Sequence, residues 1–226
     1  MLRASAAVVL CTILAGACGG GHPSLADTRA TQARQVAKDA GLPPPVQDLL
    51  ADAATSATRA FTVQYKLAVA GSTTITQDPP RRRIDLVLGE GPSAVTRSTV
   101  TNADGTFACT RTTGPWTCKK TSAPAKDSGP LALGDIEQTT ADLAAARKTY
   151  TFRIEARTVA GAHARCLVTE LKPGQTPDPA RGTRGVLCIS PVGVPLVIQG
   201  GQTTITATAY KPSADASAFK LPAKAS

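Results

Sequence analysis

The chain has 226 residues, of which 42% are hydrophobic and 4% aromatic, with 25 basic side chains against 16 acidic ones. That length suits one domain with an appendage rather than a multidomain assembly. The formal charge of +9 suits anionic headgroups or cell-wall polymers, and no nucleic-acid motif accompanies it, so nucleic acid is not an expected partner.

The chain opens with one basic residue, Arg3, and then an apolar small-residue run from Ala4 to Ala17. Spanning a bilayer takes about 20 apolar residues. The run is shorter and has the length of a signal-peptide core. It ends in Leu14-Ala15-Gly16-Ala17-Cys18-Gly19. These residues resemble the lipobox of bacterial lipoproteins, with Leu14 one step earlier than the family's usual place. The resemblance implies a diacylglyceryl thioether on Cys18, with palmitate-type acyl chains, and cleavage before Cys18. Residues 1–17 are then a signal peptide, and the protein is exported and lipid-anchored to the outer face of the cell membrane. Two or more acyl chains make such attachment stable, each buried methylene contributing about 0.8 kcal/mol. The alternative is an ordinary secretory signal cut at the same place, with Cys18 incidental. Cleavage removes one basic residue, leaving 24 basic against 16 acidic side chains, or +8, on 209 residues.

Residues 18–45 read as the lipidated Cys and a flexible tether, with Gly19-Gly20-Gly21 at one end and Pro43-Pro44-Pro45 at the other. Its reach is on the order of 30 Å. A short helix within Thr28 to Asp39 is an open alternative that no apolar stripe supports. The folded domain is expected over 46–226. Val46, Leu49, Leu50, Ala53 and Ala57 share one face of a helix over Val46 to Ala60, and Pro45 suits its first turn. The period then changes to two. Phe61, Val63, Tyr65, Leu67 and Val69 alternate with polar or small residues, as in a strand with one wet face. Further strands are predicted near 72–77, 82–88, 94–101, 106–111 and 116–120. Asp104-Gly105 marks one of the hairpin turns. A second helix is predicted over Asp135 to Arg147, with Asp135 as its cap and Gln138 reaching back. Five strands follow near 149–157, 163–171, 184–190, 194–199 and 203–210. Sequence neighbours can pair throughout. The fold class is therefore α+β: a strongly curved eleven-stranded antiparallel sheet, an incomplete barrel, covered by two or three helices.

Of six cysteines, Cys11 leaves with the signal and Cys18 carries lipid, so Cys109, Cys118, Cys166 and Cys188 remain. An even number in an exported domain suggests disulfides. A hairpin centred between Thr113 and Gly114 puts Cys109 opposite Cys118 and Arg111 opposite Trp116, where cation–π packing is expected. Pairing the strands around residues 172–183 puts Cys166 opposite Cys188, Val168 opposite Val186 and Glu170 opposite Arg184. Directly opposed strand residues have the spacing a disulfide tolerates. No close cysteine spacing suggests a metal, and His22 and His163 lie far apart.

This layout resembles the lipoprotein-carrier fold of LolA-like and LolB-like proteins and the mycobacterial LppX/LprG-type lipoproteins. The resemblance covers residues 46–222. It rests on the helix entering a strand at Ala60-Phe61, on Cys188-Ile189-Ser190-Pro191-Val192-Gly193-Val194-Pro195-Leu196, and on Thr206-Ala207-Thr208-Ala209-Tyr210 with Phe219 and Pro222. It implies a space between sheet and helices that holds acyl chains. Two local disulfides are not typical of the carriers and resemble those of actinobacterial lipoproteins with Cys-containing hairpins.

The inward apolar set is large: Phe61, Val63, Tyr65, Leu67, Ile84, Leu86, Leu88, Phe152, Ile154, Leu196, Ile198 and Ile205. The helices opposite offer only Val46, Leu49, Leu50, Ile136 and Leu143 as large side chains, the rest being mostly Ala. Apolar surface left in water costs about 25 cal/mol per Å². Either an acyl chain fills the gap or the curved sheet closes on its own side chains. Arg81, Arg82 and Arg83 are either a headgroup contact or a solvated turn after Asp78-Pro79-Pro80.

The expected function is binding or transfer of an acyl lipid, glycolipid or lipoglycan without catalysis or cofactor, by a monomer held at the membrane. The alternative is an anchored sensor or interaction module for another envelope protein, with an extended peptide added at the sheet edge. An enzyme is not expected. No Gly-x-Ser-x-Gly occurs, and His163 is the only His in the domain, between small residues on a strand.

Overall fold

The computed structural model describes residues 23–67, 70–122 and 136–225. The signal run, Cys18, His22, Val69 and Asp135 lie outside the described residues, and with them the lipid-attachment and Asp135-cap expectations. No helix among the described residues is long and apolar enough to cross a membrane.

Helices α1 (Leu25–Asp39) and α2 (Pro44–Thr55) precede strands β1 (Phe61–Lys66), β2 (Gly71–Asp78), β3 (Arg81–Leu88), β4 (Val95–Asn102), β5 (Gly105–Arg111) and β6 (Thr117–Thr121). Helix α3 (Ile136–Ala146) leads to β7 (Tyr150–Val159), β8 (Ala162–Leu171), β9 (Arg184–Ile189), β10 (Pro195–Gly200) and β11 (Thr203–Lys211). The strands form one sheet in the order β6-β5-β4-β3-β2-β1-β11-β10-β9-β8-β7. Every adjacent pair is antiparallel. β6 and β7 end the sheet and do not pair with each other, so the barrel is incomplete, an α+β fold as expected.

Both disulfides have the expected partners, Cys109–Cys118 and Cys166–Cys188. The register also matches: Val168 faces Val186 and Glu170 faces Arg184. Arg111 lies over the Trp116 ring at 5.2 Å. The pairing sets Glu155, Cys166, Cys188 and Val197 in one row across β7–β10, so the second disulfide sits between an ion-paired strand and an apolar neighbour.

The largest departure is α1, fifteen residues of folded helix inside the stretch expected to be tether. Ser24 and Asp27 form a capping box at its start, each side chain meeting the other's backbone N–H. Its buried stripe is Ala26, Ala33 and Ala37. Small side chains let α1 lie close along α2, and Arg34 pairs with Asp48 across the two helices at 3.0 Å. An all-Ala stripe gives little apolar contrast, which is why periodicity does not reveal it. The folded domain therefore begins near Ser24 rather than Val46.

Helix α2 buries Val46, Leu49, Leu50 and Ala53 and is tied to β8 by Arg165, whose Nη1 reaches Asp52 at 2.7 Å. Leu42, Leu49, Leu50 and Leu143 meet Leu167 and Ile189, so the helices touch the sheet directly at β8 and β9.

Candidate functional site

Between the helices and the first strands the contact opens into a cleft of about 770 Å³. Phe61 and Tyr65 of β1, Ile75 and Gln77 of β2 and Arg82 of β3 form its floor. The register puts these side chains on one face, since Val63 pairs with Ile75, Phe61 with Gln77, and Gln77 with Arg82. The α1 wall is Leu25, Thr28, Arg29, Gln32, Ala33 and Val36, spaced as one helical face. Ala53, Ala54 and Ala57 come from α2 and its following turn, and Ile136 and Glu137 from the start of α3. Alanine projects only a methyl group, so these walls stop short of the floor.

The end walls are held by specific contacts. Tyr65 is buried, and its hydroxyl donates to the Pro195 carbonyl at 2.6 Å. Burial raises its pKa above the usual tyrosine value. Gln77 Nε2 donates to the carbonyls of Ser56 (2.7 Å) and Arg59 (3.1 Å), closing the space below α2. Val194 and Pro195 complete the lining, placed by a loop in which Gly193 has φ +86°. A Cβ there would lie 2.1 Å from the Asp52 carbonyl oxygen, so the loop approaches α2 as only glycine allows. The lining mixes aliphatic and aromatic surface with Arg29, Gln32, Arg82 and Glu137, which suits an amphiphile. Its volume lies within the roughly 300–1,000 Å³ of small-molecule sites.

The sequence-predicted lining divides. Phe61 and Tyr65 line the cleft, whereas Val63 and Leu196 are fully packed inside the core with Ile205. Ile84 packs against that core, and Leu86 and Leu88 continue the same sheet face, half-buried beyond the cleft. Leu67 is half-buried just past β1. Phe152 and Ile154 pack against the helix cluster. Ile198 lines a second cleft of about 330 Å³ with Leu143, Leu167 and Leu187. The expected lining is thus divided between two clefts and a packed core, with α2 and Leu143 of α3 clustered on Leu167 and Ile189.

The three arginines do not act together, because strand neighbours point to opposite faces. Arg81 is ion-paired with Asp78 and lies over the Phe219 ring at 4.7 Å. Arg83 Nε meets both Asp85 oxygens at 2.8–2.9 Å, and its Nη1 meets the Ala218 carbonyl at 3.1 Å. Those two fasten the C-terminal segment to the outer face. Arg82 alone reaches the cleft. Sequence reasoning missed Ile75 and Gln77, although their alternation with Thr74 and Thr76 carried the signal. It also missed the α1 wall, for the reason given above.

No known protein-family profile matches the chain, and no curated protein does. Among solved structures, a DUF1329 family protein from Desulfovibrio piger is similar at 9% identity over 76% of this chain and 73% of that one, with a TM-score of 0.23.

Proposed function

We propose that this protein is an exported lipoprotein, anchored through Cys18, that holds one acyl lipid or glycolipid non-covalently in the cleft between α1, α2 and strands β1–β3. The observation that carries the reading is the cleft itself: Phe61, Tyr65 and Ile75 on its floor face a wall in which α2 and its following turn offer only Ala53, Ala54, Ser56 and Ala57. An acyl chain laid there would remove apolar surface from water. Arg29 and Arg82 stand where a polar or anionic headgroup would lie. The open eleven-stranded sheet agrees with the lipoprotein-carrier resemblance, and two disulfides fit an oxidising compartment. The test is solvent extraction of the protein purified from cell membranes. About one retained acyl lipid per chain, beyond those bonded to Cys18, supports the reading.

A second reading has its own observation. β7 is ten residues long and ends the sheet with one edge that no described strand pairs, where an extended envelope-protein segment could add a strand. A protein free of extractable lipid that captures such a segment, and loses it when Ala156→Pro removes a backbone N–H that faces the outer edge, would favour an anchored interaction module.

A further inference from the structure

We propose that the mouth of the cleft is a docking surface for an anionic bilayer, so that the cleft opens onto the membrane itself. The proposal rests on the lipid-binding reading above and adds the orientation of the domain. Leu25 is the one large hydrophobic side chain that is prominently exposed among the described residues, at 63%. It lies on the cleft rim with Thr28 and Arg29, one turn apart on α1. A solitary exposed leucine is ordinary on a protein surface. Its position here is not arbitrary, because Cys18 stands seven residues before Leu25. Seven extended residues span at most about 25 Å. A lipid on Cys18 therefore keeps this rim, and not the far end of the sheet, next to the bilayer.

The charges around the rim agree with an anionic surface. Arg29 forms no ion pair among the described residues. Arg82 lines the same cleft, and Arg59 lies close enough to help lower the pKa of Asp27, whose main cause is the Ser24 hydrogen bond. Asp27 is thus already engaged as a helix cap, and Glu137 is the acidic side chain in the lining. Leu25 can enter the interface while Arg29 meets lipid phosphate, an arrangement that interfacial helices use.

The experiment places one added tryptophan at either end of α1, Leu25→Trp or Lys38→Trp, with native Trp116 as background. The full chain as matured in cells is reconstituted into vesicles of phosphatidylglycerol and phosphatidylcholine with brominated acyl chains. Docking predicts several-fold greater quenching of the added fluorescence in Leu25→Trp than in Lys38→Trp. Arg29→Glu, or pure phosphatidylcholine, should bring the first down toward the second. Equal quenching at both ends, or none at Leu25→Trp, overturns docking. Lipid extracted from the same preparations separates the two ideas. Retained lipid with an unquenched Leu25→Trp defeats docking and leaves the cleft reading intact, whereas selective quenching in a lipid-free protein supports docking and defeats the cleft reading.

Discussion

The Tyr65 hydroxyl donates to the Pro195 carbonyl across the intervening strand β11, joining β1 to β10 at the wall of the cleft. Tyr65→Phe leaves that buried oxygen without its donor, at a cost of about 1–3 kcal/mol. Denaturant unfolding measures it. The raised pKa adds a pH signature. The folded tyrosine keeps its proton where the unfolded one loses it, so its contribution is complete below about pH 10 and declines as pH rises above that value. The wild-type protein should lose more stability than Tyr65→Phe between neutral pH and the alkaline range.

Gly193 is the second hinge of that wall. Gly193→Ala combines a positive φ with a clash against the Asp52 carbonyl. It should destabilise by at least about 1–3 kcal/mol and reduce lipid retention in the protein that still folds. Gly114, which has a positive φ but no atoms near its Cβ position, is the control. Gly114→Ala should cost less and leave retention unchanged.

Arg82 and Arg83 adjoin in sequence and separate in role. Arg83→Ala removes bonds to Asp85 and to the C-terminal segment and should cost about 1–2 kcal/mol, with lipid retention unchanged. Arg82→Ala should weaken retention of an anionic lipid. Thermal unfolding and lipid extraction of the two variants distinguish them. Equal retention in both would remove Arg82 from the headgroup site.

The strands and disulfides were legible because strand signals are strong here. Phe61, Val63 and Tyr65 alternate cleanly, and cysteine positions within hairpins limit the pairing. The cleft was only half legible. Inward direction follows from period two, so Phe61 and Tyr65 were found together with Val63. Depth does not follow from it, and Val63 is packed while its neighbours line space. Helix α1 stayed hidden because alanine buries well but signals weakly. The seating of α2 on Leu167 and Ile189 is a contact between segments more than 100 residues apart that no local pattern encodes.

The disulfides should differ in weight. Cys166–Cys188 closes a 22-residue separation and Cys109–Cys118 one of 9. Loop-closure entropy assigns about 3 kcal/mol to each, somewhat more to the longer. Cys166→Ala with Cys188→Ala should therefore lower stability more than the other pair, and denaturant midpoints will rank them. Glu155, opposite Cys166 on β7, carries a separate pH signature. Hydrogen bonds from Arg157 and then Arg153 hold the Glu155 carboxyl below its usual pKa, a contribution that fades as pH falls through the acidic range.

Native mass spectrometry of the protein released gently from membranes tests the cleft most directly, with Ala57→Trp as the variant that fills it. The expected result is one non-covalent acyl lipid on the wild-type chain and none, or far less, on Ala57→Trp at similar stability. A wild-type chain without adduct, or an equal adduct on both proteins, would contradict it.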